Sequence, residues 1–212
     1  MIKIGEASSA PTILLTKPNL HRSMDIDNGD VMKYTLMILM LVLSQTALSR
    51  IDTWTTHTGE PIPNSDSVKS INGFGGLLIV TPDMDWEKKW NTSPETTPEF
   101  STAADVSYGE ELAILPFFIN PKTNAAGEIK IICDLKITRP NGRISTQKNI
   151  DCASGKLQGS PKNVRLTAAY IKFIGEDGDP NGVWEIAVTI TDAIRRTKIP
   201  LKANFNLIAI RK

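Results

Sequence analysis

The second half of the chain consists of short segments in which apolar and polar residues alternate. The clearest runs from Trp184 to Thr191, where large apolar residues occupy every second position. Alternation with a period of two predicts a strand that buries one face. We predict an all-β, antiparallel two-sheet sandwich of about seven strands. The segments are Leu77 to Val80, Glu111 to Ile119, Glu128 to Thr138, Arg143 to Ile150, Val164 to Ile174, Trp184 to Thr191 and Lys198 to Ile210.

One short helix is predicted near residues 82–90. Thr81 can cap its first turn, and Pro82 suits the first helical position because its missing N–H is not needed there. Trp86 and Trp90 lie four residues apart, so they share one helix face. This face either covers part of the sandwich or forms a protein-binding surface, since tryptophan is enriched in interface hot spots.

The last third of the chain resembles an immunoglobulin-like or fibronectin-type-III-like β-sandwich. The resemblance lies in Gly182 to Asp192, where a loop ending in glycine leads to an aromatic residue and an alternating strand, and in Ile199 to Leu207, a final strand after an Asp-containing turn. It extends over about residues 110–210. The chain lacks the inter-sheet cysteine pair with a central tryptophan of antibody domains. The resemblance implies a fold and leaves activity open.

An apolar run over residues 36–43 is typical of the hydrophobic core of a secretory signal peptide. It is short for a membrane span, which needs roughly 20 apolar residues. Lys33 precedes the run, and small residues at Ala47 and Ser49 predict cleavage before Arg50. We therefore predict a signal peptide at residues 32–49, a periplasmic or secreted mature protein, and no stable membrane span after cleavage. A buried hydrophobic helix and an uncleaved anchor are the alternatives.

Residues 1–31 do not fit this leader, because three aspartates directly precede the apolar run. We interpret them as a mis-annotated upstream extension, with translation beginning at Met32. Residues 50–72 are polar and aperiodic, and we expect a flexible arm there. Residues 73–212 are assigned to the sandwich. The glycine-rich segment 73–76 precedes a strand instead of following one, so we interpret it as a flexible entry or a bulge.

The two cysteines, Cys133 and Cys152, flank a predicted hairpin. A type I′ turn at Asn141-Gly142 would set Cys133 opposite Ile150. It would set Cys152 opposite Ile131, so the cysteines are two residues out of register. One bulge or a slightly longer turn brings them together. An even number of cysteines in an exported chain indicates a disulfide, and we predict a Cys133–Cys152 bond.

Charge and histidine content make several functions less probable. Lys and Arg total 24 against 23 Asp and Glu, and a net charge of +1 does not steer the chain toward nucleic acid. The only histidines are His21, which precedes the cleavage site, and His57, which lies in the arm. One mature histidine cannot build a His-rich zinc site and makes a serine or cysteine triad improbable. We expect no metal, no cofactor and no catalysis.

Carboxylates remain the one route to catalysis, because a pair of them suffices for glycoside hydrolysis. The residues 176–179 could also supply oxygen ligands to Ca²⁺, although the segment is too short for an EF-hand loop. A helix start and a solvated turn explain the same residues more simply. Asp177 and Asp179 are retained as candidate binding residues. The carboxylates considered are Asp83, Asp85, Glu87, Glu176, Asp177 and Asp179.

The prediction for function is an exported, non-catalytic binding or structural module that contacts another envelope or extracellular protein. Its candidate surfaces are the Trp86/Trp90 helix, the loop 175–182 and an exposed sheet edge. Arg195, Arg196 and Lys198 are interpreted as a solvated basic turn that protects an edge. An inhibitor or chaperone of an envelope protein is the first alternative, and a carbohydrate-active or calcium-dependent enzyme is the second.

Overall fold

The computed structural model describes residues 2–6, 54–56, 58–92 and 98–209. The predicted signal peptide, its cleavage site, most of the upstream extension and His57 lie outside these ranges. Within them, the chain forms strands and one short helix, α1 (Trp86–Trp90). The strands are β1 (Ile2–Glu6), β2 (Val68–Ile71), β3 (Phe74–Thr81), β4 (Asp105–Ser107), β5 (Glu111–Ile119), β6 (Glu128–Thr138), β7 (Ile144–Lys156), β8 (Arg165–Leu166), β9 (Ala169–Ile174), β10 (Gly182–Asp192) and β11 (Thr197–Ile208).

These strands form two sheets, which confirms the predicted all-β sandwich. The first sheet has the order β1-β9-β5-β3-β2, with β8 also paired to β5. The second has the order β4-β11-β10-β6-β7. Neighbouring strands are antiparallel except β4 and β11, which are parallel. The structure adds β1, β2 and β4 to the strands that alternation predicts.

The core between the sheets is centred on three aromatic side chains. The ring of Phe173 from the first sheet lies 5.0 Å from Trp184 and 4.5 Å from Phe205, both of the second sheet. All three residues are almost fully buried. The apolar positions of β10 face this core, so its alternating sequence reflects burial of one face, as predicted. Each such side chain contributes about 1.5–3 kcal/mol by leaving water.

A second apolar layer covers the outer face of the first sheet. It explains why β5 is a nearly continuous apolar run, since a strand buried on both faces loses the polar alternation. Trp54 and Trp86 pack in this layer with Leu115 and Phe117 of β5. The first sheet therefore lies between two apolar layers.

The predicted flexible arm is wrong for residues 54–56 and 58–72. Trp54 is buried in the outer layer, and Thr55 forms a bridge with Pro61. β2 pairs with β3 around a two-residue Asn72-Gly73 loop, in which both residues have positive φ, 51° and 74°. This is the type I′ arrangement that favours Asn-Gly. The segment is polar because much of it faces solvent, yet its few apolar residues anchor it.

The glycine-rich segment is also different from its prediction. Gly75 and Gly76 lie inside β3, and each permits a close approach on one face of the sheet. A Cβ on Gly75 would lie 2.9 Å from Nε1 of Trp54 in the outer layer. A Cβ on Gly76 would lie 3.0 Å from Cγ2 of Ile199 in the inner core. The glycines therefore serve packing rather than flexibility.

A proline divides the single strand that was predicted over Val164 to Ile174 into β8 and β9. Pro116 lies within β5 and has no N–H to donate to a neighbouring strand. Its carbonyl accepts hydrogen bonds from the backbone N–H (3.0 Å) and Oγ1 (3.1 Å) of Thr167. Ala168 leaves the ladder and donates its N–H to the carbonyl of Cys152 in the other sheet, at 2.7 Å. The break thus ties the two sheets together.

The β6–β7 turn is longer than predicted. The Gly142 N–H donates to the Arg139 carbonyl (2.9 Å), and Gly142 has a positive φ of 79° whereas Asn141 does not. This is a type I turn with Pro140 at its second position, followed by a left-handed glycine. Pro140 explains the difference, since its fixed φ favours that position of a type I turn.

The Cys133–Cys152 disulfide is present, with the two Cα atoms 5.9 Å apart. Cys133 is opposite Ile150, as predicted. The register between β6 and β7 shifts twice, first between Ile131 and Ile132 and again after Cys133. Cys152 is the residue of β7 that lies between the partners of Ile131 and Ile132. Bulges bring the cysteines together in the way that the hairpin geometry required.

Replacement of both cysteines by alanine is expected to lower the free energy of unfolding by about 3 kcal/mol, because the bond closes a loop with a sequence separation of 19. Urea denaturation monitored by tryptophan fluorescence measures this loss. Wild-type protein kept reduced is the matched control and should lose a similar amount. An unchanged denaturation midpoint in both samples would contradict a stabilising role for the bond.

Candidate functional site

Helix α1 begins later than predicted, at Trp86 instead of Pro82. The Oγ1 of Thr81 accepts a hydrogen bond from the Asp83 N–H at 3.1 Å, so it caps a turn and not the helix. Asp85 occupies the N-cap position without a side-chain hydrogen bond. The short helix is thus held by its packing and by the ion pairs of Lys89 with Asp83 and Asp85.

The two tryptophans of α1 cover the outer face of the first sheet. Trp86 is 6% exposed and contacts Tyr170 edge-on, with ring centroids 4.7 Å apart. Trp90 is half-buried and lies 5.1 Å from the ring of Phe117. The interface prediction is wrong for Trp86, because its indole is inside the outer layer. Trp90 retains an exposed portion and remains a candidate contact.

An ion pair fastens α1 to the chain that follows it. The carboxylate of Asp83 lies 2.7 Å from Nζ of Lys89 and accepts the Ser101 N–H at 2.8 Å. The hydrogen bond from Lys89, with that from Ser101, lowers the pKa of Asp83 to about 2. The same pair raises the pKa of Lys89. A carboxyl group with so low a pKa is a poor general acid at neutral pH.

The loop 175–182 is fixed by its own backbone and by two aromatic residues. The Asp179 carboxylate accepts the Glu176 N–H at 3.2 Å, while the Asp179 carbonyl accepts the hydroxyl of Tyr108 at 2.8 Å. Nε1 of Trp184 donates to the Pro180 carbonyl at 3.1 Å. Asp177 is exposed at the tip. Asp179 therefore shapes the loop, whereas Asp177 and Glu176 are exposed.

The structure does not bring the two predicted binding regions together. α1 packs on Tyr170, near the start of β9, whereas the loop follows the end of that strand. The two points, Tyr170 and Gly175, are five residue steps apart, which is about 16 Å at about 3.3 Å per residue. Among the described residues, no group of three or more His, Cys, Asp or Glu side chains could hold a metal ion.

The basic turn is a structural corner and not a solvated patch, so that prediction is wrong for Arg195. Its guanidinium donates to the carbonyls of Asn72, in the β2–β3 turn, and of Asn120, directly after β5, both at 2.9 Å. Asp192 is fully buried and accepts the backbone N–H groups of Arg195 at 2.9 Å and Lys122 at 2.7 Å. The corner fastens the β10–β11 turn to the first sheet. Arg196 and Lys198 are exposed.

The sheet edges differ in how open they are to another strand. β7 is an edge strand, but its pairing with β6 is irregular at two places and Asn149 has a positive φ of 57°. β2 is only four residues long, and the Asp66 carbonyl just before it accepts the Lys202 N–H from the second sheet at 2.8 Å. β9, by contrast, pairs with β1 through five consecutive residues without a register shift. We call the side of β9 opposite β5 the β9 edge.

Comparison with known proteins gives no family. No family model matches the chain, and no curated protein matches it significantly. Solved structures with some likeness include a family 123 glycoside hydrolase from Clostridium perfringens (TM-score 0.35, 9% identity, covering 64% of this chain and 27% of that one). Others are an alkylpurine DNA glycosylase from Pseudomonas fluorescens bound to DNA containing an abasic site analog (TM-score 0.35, 15% identity, 68% and 31%) and a FixG-related protein from Vibrio parahaemolyticus (TM-score 0.32, 10% identity, 65% and 98%).

These likenesses are too distant to support an argument about activity. The chain spans less than a third of the length of the hydrolase and of the glycosylase. In the part of the chain that the structure describes, no helix is long and apolar enough to cross a membrane. The class that the structure defines is a disulfide-bonded, all-β two-sheet sandwich.

Asp83→Asn is expected to change how stability depends on pH. The folded-state pKa of Asp83, about 2, lies below its usual value of 3.8, so the ionised form stabilises the fold above about pH 4. This contribution is lost as the pH falls from about 4 to 2. Denaturation midpoints measured between pH 6 and 2 should fall less steeply for the variant than for wild type. Asp85→Asn, whose carboxylate is exposed and 3.7 Å from the same amine, is the matched control and should resemble wild type.

The two tryptophans should differ in their effect on stability. Trp86→Ala leaves a cavity in the outer layer and is expected to cost about 3 kcal/mol or more. Trp90→Ala, at a half-buried position, should cost clearly less. Chemical denaturation of both variants provides the comparison. Equal and small losses would show that Trp86 does not anchor the helix.

Proposed function

We propose that the mature chain, beginning near Arg50, is an exported, non-catalytic module that binds another protein of the cell envelope or the extracellular space. The observation that carries the proposal is the Cys133–Cys152 disulfide across the β6–β7 hairpin. Disulfides persist in oxidising compartments and are rare in the cytosol, so the bond agrees with the signal peptide predicted at residues 32–49. Periplasmic or secreted protein is the localisation proposed.

Binding is favoured over catalysis because two of the six candidate carboxylates have structural roles: Asp83 fastens α1, and Asp179 shapes its loop. Asp192, which was not a candidate, is fully buried and holds a corner between the sheets. A carboxylate pair for glycoside hydrolysis must face a common space with room for substrate. The enzyme alternative would need such a pair from other residues. An exported inhibitor or chaperone is a special case of the binding proposal.

Export can be tested on the full chain expressed in a host with an intact secretion pathway. The expected result is a product outside the cytosol whose N-terminal sequence begins near Arg50, and which shows no reactive thiol when denatured without reductant. The matched control replaces Leu39 and Leu41 by arginine, because charge in the apolar core of a signal peptide should stop export. A product that keeps residues 1–49, or one with two free thiols, would contradict the proposal.

Binding is then tested by pull-down from envelope extracts with the processed chain. Trp90→Ala and Asp177→Ala probe the candidate position on α1, which is partly exposed, and the candidate position at the loop tip, which is exposed. If both variants recover the same amount of partner protein as wild type, α1 and the loop tip are not part of the binding surface. The sheet edges would then be the remaining candidate surfaces.

A further inference from the structure

We propose that, in the mature chain, the β9 edge is the docking site for an extended strand of a partner protein. This strand would take the position that β1 has in the full sequence. The inference deepens the function proposed above and rests on removal of the leader. The structure itself shows a strand seated on this edge, since Ile2–Glu6 pairs antiparallel with residues 169–173 of β9. The edge is therefore geometrically competent to accept a second neighbouring strand, on the side of β9 opposite β5.

Processing leaves that edge without a strand. β1 lies upstream of the predicted cut before Arg50, so cleavage removes it from a chain that starts at Met1. A chain that starts at Met32 never contains it. In both cases the backbone N–H and C=O groups that β1 satisfies become unpaired in the mature protein, and an unpaired edge is a template for another strand.

Other described edges are less suited to this role. The irregular pairing of β7 and the left-handed Asn149 twist that strand away from a flat neighbour. β4 has only three residues. β11 carries Pro200, and the carbonyl of this residue is already bonded to Nζ of Lys69 at 2.9 Å. β9 has six residues, continuous pairing with β1, and no proline.

The register on β9 defines the chemistry of the partner strand. Ile171 and Phe173 are 4% and 1% exposed and face the core between the sheets. The positions opposite them belong to Ile4 and Ile2. Residues directly opposite each other lie on the same face of a sheet. A partner strand should therefore run antiparallel to β9 and carry apolar residues two positions apart.

Lys172, which lies between Ile171 and Phe173 on β9, determines which charge the partner strand should carry. β1 places Lys3 opposite Lys172, and like charges directly opposite each other are destabilising. Lys172 itself is ion-paired with Glu111 of β5 at 2.6 Å. A strand with glutamate opposite Lys172 should bind better than the sequence of β1. The sequence Ile-Lys-Ile of β1 is thus a suitable but suboptimal occupant.

The probe is a synthetic peptide of residues 1–8, blocked at both ends, titrated into the isotope-labelled processed chain. We expect saturable binding, with chemical-shift changes concentrated on residues 169–174 of β9. A second peptide with glutamate in place of Lys3 should bind about two- to five-fold more tightly. Lys172→Gln in the protein should remove most of this preference without removing binding.

Backbone methylation provides the control for strand pairing. In an edge strand, alternate N–H groups point toward the neighbour and the others point away. One peptide is N-methylated at positions 2, 4 and 6, and another at positions 3 and 5. We expect one of the two to lose affinity about tenfold or more and the other to bind nearly as well as the parent.

Absence of saturable binding, equal effects of the two methylation patterns, or shifts centred on another strand would overturn the proposal. These results are separable from the test of the proposed function, which depends on N-terminal sequencing, thiol content and recovery of envelope partners. A chain that is exported and captures a partner, yet does not bind the peptide, would refute strand addition at β9 alone.

Discussion

Burial of β5 on both faces is the constraint on which the other elements depend. A strand in that position needs one apolar layer beneath it and another above it, and a single sandwich core supplies only the first. The second layer is assembled from the segment that starts at Trp54, from α1 and from residues around Phe100. These pieces have little regular structure of their own, and each is held by aromatic side chains laid on the sheet.

Burial also explains which strands could be predicted from the sequence. The bounds of β5 and β6 were predicted to the residue, because continuous or alternating apolar patterns report burial directly. β10 was predicted for the same reason. The disulfide could be predicted because the cysteines and the turn between them lie within one local hairpin. In these cases the residues that carry the pattern also form the element that it predicts.

The errors have two sources. Some are local: the polar flank hid the first strand of the type I′ hairpin at Asn72-Gly73, and Pro140 altered the turn at Asn141-Gly142. The others arise where a contact distant in sequence decides local structure. Trp54 packs over Gly75, and nothing near either residue indicates the other. Arg195 resembled a solvated residue because its partners, Asn72 and Asn120, are distant from it in sequence.

The parallel pairing of β4 with β11 has a consequence for the order of folding. Asp105 and Asn206 are joined by a side-chain hydrogen bond across a sequence separation of 101 residues, and their strands pair there. Such contacts close a long loop before they bring any stabilisation, which makes folding slow. The second sheet therefore cannot be completed until the segment around Asn206, close to the end of the described chain, has been synthesised and is free to pair with β4.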